Sequence, residues 1–378
     1  MRVFIKGGYQ TKFGELWDKS LNDLILESTL GALEDSQFSI KDIDAIYLGN
    51  MLSSQVYNQN HLNASVSELL NTNIPILRYE SACASGSVAL NQAYNSIKNG
   101  QYESVLVIGV EKMTDLSSEE ISKYLMSAAS DEERTSGITF PGLYALIAQK
   151  YLDDFNLSFK ELSYVSIKNH FYASLNEKAQ FPFMISYSDY LKSPLVASPL
   201  RLLDCSPISD GACSLVLTGK KTPNKVEIVA SQIASDTISL SKRKNILEIL
   251  STKLATKNAL SESGLFLKDI DFIEVHDCFS ISEVMALEDI GFYRKGEGYL
   301  CSKNKDSYPG GKLPVNTSGG LKACGHPVSA TGTKQVFEIF NQLTGRCGKR
   351  QLVNIKVGLS QNIGGTGGTC VINIIKKS

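Results

Sequence analysis

The chain has 378 residues, 43% of them apolar and 20% charged, and a formal net charge of −1. That length supports two or three domains with a substantial core. Near-neutrality leaves no field to draw the chain to nucleic acid or to an anionic membrane, so neither is an expected partner. No apolar run approaches the ~20 residues of a membrane span. Residues 1–6 are too short an apolar stretch for a signal peptide. Lys376-Lys377-Ser378 is not a peroxisomal address, so the expected compartment is the cytoplasm.

In chain order, apolar periodicity predicts a helix over 22–35 and a strand over 45–48. Small residues around Cys83 open a helix that ends near Gly100, and a strand follows over 105–110. An insertion covers about 113–207, with helices over 142–152 and 162–171 and then a proline-bearing loop over 181–207. Gly, Lys and Pro gather at 219–224, which divides the chain into 1–220 and 221–378. Beyond this boundary come a strand over 225–230, a helix over 244–262, a strand over 272–275 and a helix over 280–290. A helix over 329–345 and a strand over 352–355 follow.

The second part echoes the first. Residues 32–46, ALEDSQFSIKDIDAI, and 259–273, ALSESGLFLKDIDFI, agree at eight of fifteen aligned positions. Two copies of a strand–helix unit imply two similarly folded α/β halves with a mixed or mainly parallel sheet. The insertion in the first half is then a lid or a set of binding loops.

Four segments carry groups capable of chemistry. Cys83, in Glu80-Ser81-Ala82-Cys83-Ala84-Ser85-Gly86, precedes a helix whose N-terminal field lowers a thiol pKa. An inert buried cysteine explains that position equally well on its own. His276-Asp277-Cys278-Phe279 follows a strand end, where α/β proteins place reactive groups. The stretch from Asn316-Thr317-Ser318-Gly319-Gly320 to Gly325-His326-Pro327 offers His326 as a base, with glycines that let backbone approach a ligand. Gly364-Gly365-Thr366-Gly367-Gly368 can point N–H groups at an oxyanion. It lacks the spacing of a nucleotide-binding loop. His61 and His170 have no such setting. Cys205, Cys213, Cys301, Cys347 and Cys370 read as reduced structural thiols, as does Cys324, though it adjoins the His326 loop. No Cys-x-x-Cys pair occurs, so no metal is expected.

Together these four segments resemble the thiolase superfamily, in the branch related to sterol carrier protein 2 thiolases. Segments 11–17, 111–114, 140–144, 203–212 and 283–298 are also similar to archaeal acetoacetyl-CoA thiolases, so the resemblance covers essentially the whole chain. It implies two βαβαβαββ halves in a five-layer α/β/α/β/α sandwich, with the lid inserted in the first half. The implied activity is acetyl-CoA C-acetyltransferase, joining two acetyl-CoA into acetoacetyl-CoA and CoA with no cofactor. Longer 3-ketoacyl chains, a non-CoA acceptor, or a CoA-binding scaffold are the alternatives.

Carried over residue by residue, the resemblance makes Cys83 the acyl-accepting nucleophile and His326 its base. Cys278 becomes the second acid/base, and His276 an oxyanion donor for the enolate. Gly365 joins the N–H of Cys83 in a second oxyanion hole, Asn316 orients His326, and Phe140 and Pro141 line the pocket. The glycine-rich end lacks the cysteine of the classical branch, whose task falls to Cys278. Ser329 stands where the family usually has glycine. Implied partners are a second copy or three further copies of the chain. A complex with HMG-CoA synthase, bridged by a zinc-ribbon/OB-fold protein, is also implied.

Overall fold

A computed structural model describes residues 1–377. Its strands are β1 (Val3–Gln10), β2 (Ala45–Gly49), β3 (Ile76–Tyr79), β4 (Ser104–Glu111), β5 (Leu195–Ala197) and β6 (Leu200–Arg201). Then come β7 (Gly211–Thr218), β8 (Val226–Ser235), β9 (Phe272–Glu274), β10 (Val357–Gly364) and β11 (Thr369–Lys377). All but β5 and β6 share one sheet, in the order β3-β2-β4-β7-β1-β8-β11-β10-β9.

That order contains a repeat. In the first set, β2 runs parallel to β3 and β4, and β7 runs antiparallel to β4 and β1. In the second, β10 runs parallel to β9, and β11 runs antiparallel to β10 and β8. The counterpart of β3 is reduced to one parallel bridge between Ile273 and Val315. The sets meet through two pairs between β1 and β8, Val3–Ile228 and Phe4–Glu227.

Helices cover both faces, so the central strands read as near-continuous apolar runs rather than alternating ones. Every residue of β4, β7 and β10 is buried. Helix Leu21–Ser36 packs on the outer face of the first set, and helix Leu250–Ser263 on that of the second. Helices Ser85–Lys98 and Thr331–Thr344 lie against each other and against strands of both sets. The result is the expected α/β/α/β/α layering. The central core takes Tyr47, Leu90 and Leu215 from one set and Val336, Phe340 and Ile375 from the other.

The two central helices start so close together that only glycine fits. A Cβ on Gly86 would stand 2.1 Å from the carbonyl oxygen of Ser329, and one on Gly332 2.1 Å from Ser87 Oγ. Between β4 and β7 the insertion adds helices Phe140–Asp154 and Lys160–Ala173.

Three sequence expectations move, the first being the helix placed at 244–262, which begins at Leu250. The strand placed at 352–355 begins at Val357, because Asn354 turns the chain in the left-handed region (φ 57) and Val353 is left exposed. Asp271 Oδ2 then accepts the N–H groups of Lys356 and Val357 and starts the strand there. The loop expected at 181–207 contains helix Tyr187–Lys192, N-capped by Ser186, and the hairpin β5–β6. No helix among the described residues is long and apolar enough to cross a membrane.

Candidate active site

Cys83 stands two residues before helix Ser85–Lys98. Ala82, in the left-handed region (φ 52), turns the chain into that helix. Ser85 locks the turn: its Oγ accepts from the Ser81 N–H at 2.9 Å and donates to the Ala82 carbonyl at 2.6 Å. In the second set, His326 stands at the matching place, just before helix Thr331–Thr344. Its ring Nδ1 lies 2.7 Å from Thr331 Oγ1, and its N–H donates to Ser209 Oγ at 2.8 Å.

His276 follows β9. Its ring Nδ1 is 2.8 Å from the Asn362 amide nitrogen, while its Nε2 is buried without a hydrogen-bond partner. The two imidazoles meet edge to face, 5.1 Å between centres. Cys83, His276 and His326 each bring one donor atom to within 4.8 Å of the others. Such a trio suits nucleophilic catalysis, and by distance alone a metal ion as well.

Cys83, Cys278, His326 and Gly365 line a cavity of about 540 Å³. Much of its lining comes from the insertion, with Phe140, Pro141, Tyr144 and Leu202 beside the polar Ser122, Thr139 and Gln180. Tyr144 stacks on Phe279 at 4.5 Å, which ties that lining to the loop carrying Cys278. The glycine-rich turn is held by its carbonyls. Tyr144 Oη donates to Gly365 O at 3.0 Å, Arg243 to Thr366 O at 2.6 Å, and Ser251 Oγ to Gly367 O at 2.6 Å. With those acceptors occupied, the N–H groups of Gly365 and Cys83 are left to face the Cys83 sulfur, and both lower its pKa.

They do not lower it enough. Burial dominates and pushes the Cys83 thiol up to about 12, against the sequence expectation of a depressed value. The magnitudes explain the outcome. A helix N-terminus contributes about 0.3–1 kcal/mol, under one pKa unit, whereas full burial shifts a group by up to ~3–5 units. The Cys278 thiol is likewise pushed up by burial. Burial, helped by Lys334, drives His326 down to about 3, and burial drives His276 well below its ordinary value. At rest the site holds neutral thiols and neutral imidazoles.

Several sequence-predicted residues sit elsewhere. Asn316 does not touch His326. Its Oδ1 accepts from the Val275 N–H at 2.8 Å and its Nδ2 donates to Glu283 at 2.7 Å, so it shapes the chain after β9, and Thr331 holds His326 instead. The glycines near Asn316 accommodate protein rather than ligand. A Cβ on Gly320 would meet Asp277 Oδ2 at 2.2 Å, and one on Gly319 would meet Ala173 at 2.8 Å. Cys205, read as structural, reaches the cavity wall. Cys324 is buried and outside that wall. His170 is a buried ring bonded to the Phe183 carbonyl, and His61 is exposed.

Thr331, Tyr144 and Asn362 escaped the sequence reading. Thr331 had a usable signal, a hydroxyl in the first turn of the helix after His326. Asn362 had none, because 86 residues separate it from the ring it touches.

The comparisons agree with this geometry. Residues 3–221 match the family model described as "Thiolase, N-terminal domain", and residues 233–377 match "Thiolase C-terminal domain-like". "Acetyl-CoA acetyltransferase" of Methanothermobacter thermautotrophicus is 43% identical over 99% of both chains. The protein of that name in Methanocaldococcus jannaschii is 43% identical over 99% of this chain and 98% of its own. Human "Sterol carrier protein 2" is 31% identical over 99% of this chain and 72% of its own. Among solved structures, "Ltp2-ChsH2(DUF35) aldolase" superposes with a TM-score of 0.84 at 21% identity, covering 98% of this chain and 97% of that one. An acetyl-CoA acetyltransferase from Syntrophomonas wolfei gives 0.77 at 18% identity, covering 100% and 99%. With both domain models matched in order and full-length relatives at 43% identity, the chain belongs to the thiolase family.

Proposed function

We propose that this chain is an acetyl-CoA C-acetyltransferase, interconverting two acetyl-CoA with acetoacetyl-CoA and CoA through an acetyl-cysteine. The observation that carries the reading is the convergence of Cys83, His276 and His326 at a cavity that Cys278 also lines. Cys83 Sγ attacks the thioester carbonyl as His326 takes its proton. Because both groups rest neutral, the proton moves during attack rather than before it. The N–H groups of Cys83 and Gly365 hold the tetrahedral oxyanion. His326 passes the Cys83 proton to the departing CoA and then takes the Cys278 proton. The Cys278 thiolate removes a methyl proton from the second acetyl-CoA, and His276 stabilises the enolate oxygen. The enolate carbon attacks the acetyl-cysteine and releases Cys83. Each oxyanion donor is worth ~10²–10³ in rate.

No cofactor or metal is required by this chemistry. We place the two domains at 1–220 and 221–378 and the protein in the cytoplasm as a homodimer or homotetramer. A bridged complex with HMG-CoA synthase remains part of the proposal. It draws support from the structural neighbour whose name couples an aldolase to DUF35.

The test is CoA-dependent loss of acetoacetyl-CoA by the pure protein, with mass spectrometry of the Cys83 peptide. Turnover and an acetyl group on Cys83 are expected, both absent in Cys83→Ala. A folded protein that is inert alone and with its partners would overturn the reading. The apolar residues that the insertion brings to the cavity favour one second reading, cleavage of longer 3-ketoacyl chains. A chain-length series of 3-ketoacyl-CoAs separates the two.

A further inference from the structure

We propose that Asn362 is a positioning residue that fixes His276 as the Nε2–H tautomer, while Thr331 fixes His326 as the opposite one. The two facing histidines then enter the reaction as hydrogen-bond donor and proton acceptor. The proposal rests on reading Cys83, His276 and His326 as one reaction centre.

A neutral imidazole carries a single N–H, and the partner of one nitrogen decides where it sits. The group 2.8 Å from His276 Nδ1 is the Asn362 amide nitrogen, which only donates. The Asn362 amide oxygen is buried without a partner, so the contact with His276 is the one side-chain bond that orients this amide among the described residues. His276 Nδ1 therefore keeps its lone pair, and the proton belongs on Nε2. That nitrogen is fully buried and has no partner among the described residues. A buried N–H without an acceptor is costly unless a ligand oxygen supplies one.

At His326 the logic reverses. Thr331 Oγ1 lies 2.7 Å from Nδ1 and 3.2 Å from the Pro327 carbonyl oxygen. The Pro327 carbonyl accepts the hydroxyl hydrogen beside the N–H groups of Ala330 and Thr331, and with the hydrogen there the hydroxyl lone pair is free to take the Nδ1–H. His326 Nε2 is left as a lone pair, the form a base needs. Had both rings the same tautomer, the site would hold two bases and no imidazole donor, or two donors and no base.

The assignment also bears on metal binding. A metal-bound histidine turns its other N–H towards an acceptor. His276 faces a donor, so the trio is arranged for hydrogen bonding and proton transfer.

The experiment is NMR of ¹⁵N-histidine-labelled full-length protein without substrate, reading which ring nitrogen of each histidine is protonated. His276→Ala and His326→Ala assign the signals. His276 is expected to show a protonated Nε2 and a bare Nδ1, and His326 the reverse. Asn362→Asp offers Nδ1 only acceptors. It is expected to move the His276 proton to Nδ1 and lower kcat for acetoacetyl-CoA thiolysis by ~10²-fold, with KM within about threefold. Wild-type His276 protonated on Nδ1 would overturn the proposal. So would a variant that loses the Nε2 proton at unchanged kcat. If that variant does not fold, the wild-type tautomers decide alone. A wild type with the expected tautomers but no thiolysis would reject the proposed function and leave the assignment standing.

Discussion

Corresponding strand ends in the two halves are treated in opposite ways. In the first half, the chain leaves β2 at Asn50 and β4 ends at Glu111, and these side chains satisfy each other. Asn50 Nδ2 donates to Glu111 Oε1 at 2.9 Å, and the N–H groups of Met51 and Leu52 donate to the same carboxylate at 3.0 Å. In the second half, His276 stands two residues beyond β9 and β10 ends at Gly364, and the polar groups there are only partly satisfied. His276 Nε2 lacks a partner, and the Gly365 N–H faces the Cys83 sulfur. Buried polar groups are normally paired, so a pair of duplicated ends with unequal satisfaction marks the end reserved for a ligand. On the proposed reading, the first half contributes the nucleophile where the chain enters a central helix, and the second half contributes the groups that act on it.

The largest expected effect follows from removing the first half's one reactive group. Cys83→Ala should lower thiolysis by at least about 10⁴-fold, measured as the loss of acetoacetyl-CoA absorbance. Retained turnover would mean that chemistry does not start in the first half at all.

Cys278→Ala tests the division of labour more finely. Condensation should fall by ~10²–10⁴-fold. Single-turnover acetylation of Cys83 by acetyl-CoA should survive, read by mass spectrometry of the intact protein. Loss of both steps together would mean that Cys278 supports the nucleophile rather than serving the second substrate.

Gly86→Ala probes the contact that joins the halves. Its new Cβ would meet a backbone oxygen at 2.1 Å, which cannot swing aside as a side-chain tip can. Overpacking of this kind costs about 1–3 kcal/mol, visible as a lowered denaturation midpoint. An unchanged midpoint would show that the two central helices can slide apart without loss.

This contact also shows what the sequence could and could not tell. Cys83 was legible because small residues before a helical pattern are a local signal, and His276 and Cys278 because they follow a strand-like run. The ALEDS and ALSES repeats exposed the duplication because both copies still build a helix leading into a parallel strand. The tie between Ser87 and Gly332, or between Asn362 and His276, joins residues far apart in sequence. It exists only once the layers stack. Asn316, placed beside His326 by the resemblance alone, instead bonds the Val275 N–H and Glu283. The lowered thiol pKa failed because a helix terminus is read locally, whereas burial belongs to the whole fold.

The smallest expected effect is none, and it weighs that last point directly. If the helix terminus governed Cys83, a thiolate would face an imidazolium at rest, and acylation would fall off as pH dropped through the neutral range. Burial predicts otherwise. His326 is depressed to about 3 from 6.5, so lowering the pH leaves the base unprotonated until far into acid. Cys83 is raised to about 12 from 9.0, so raising the pH does not ionise it until far into alkali. Between those limits the pair keeps one mobile proton whatever the bulk pH. Single-turnover acetylation of Cys83 should therefore be level from about pH 5 to about pH 9, followed by quenched-flow mass spectrometry. An inflection near 6.5 would show that water reaches His326 in the working enzyme. A fall below neutrality that persists in His326→Ala would be titration of a Cys83 thiolate, and would restore the local signal that the folded structure overrules.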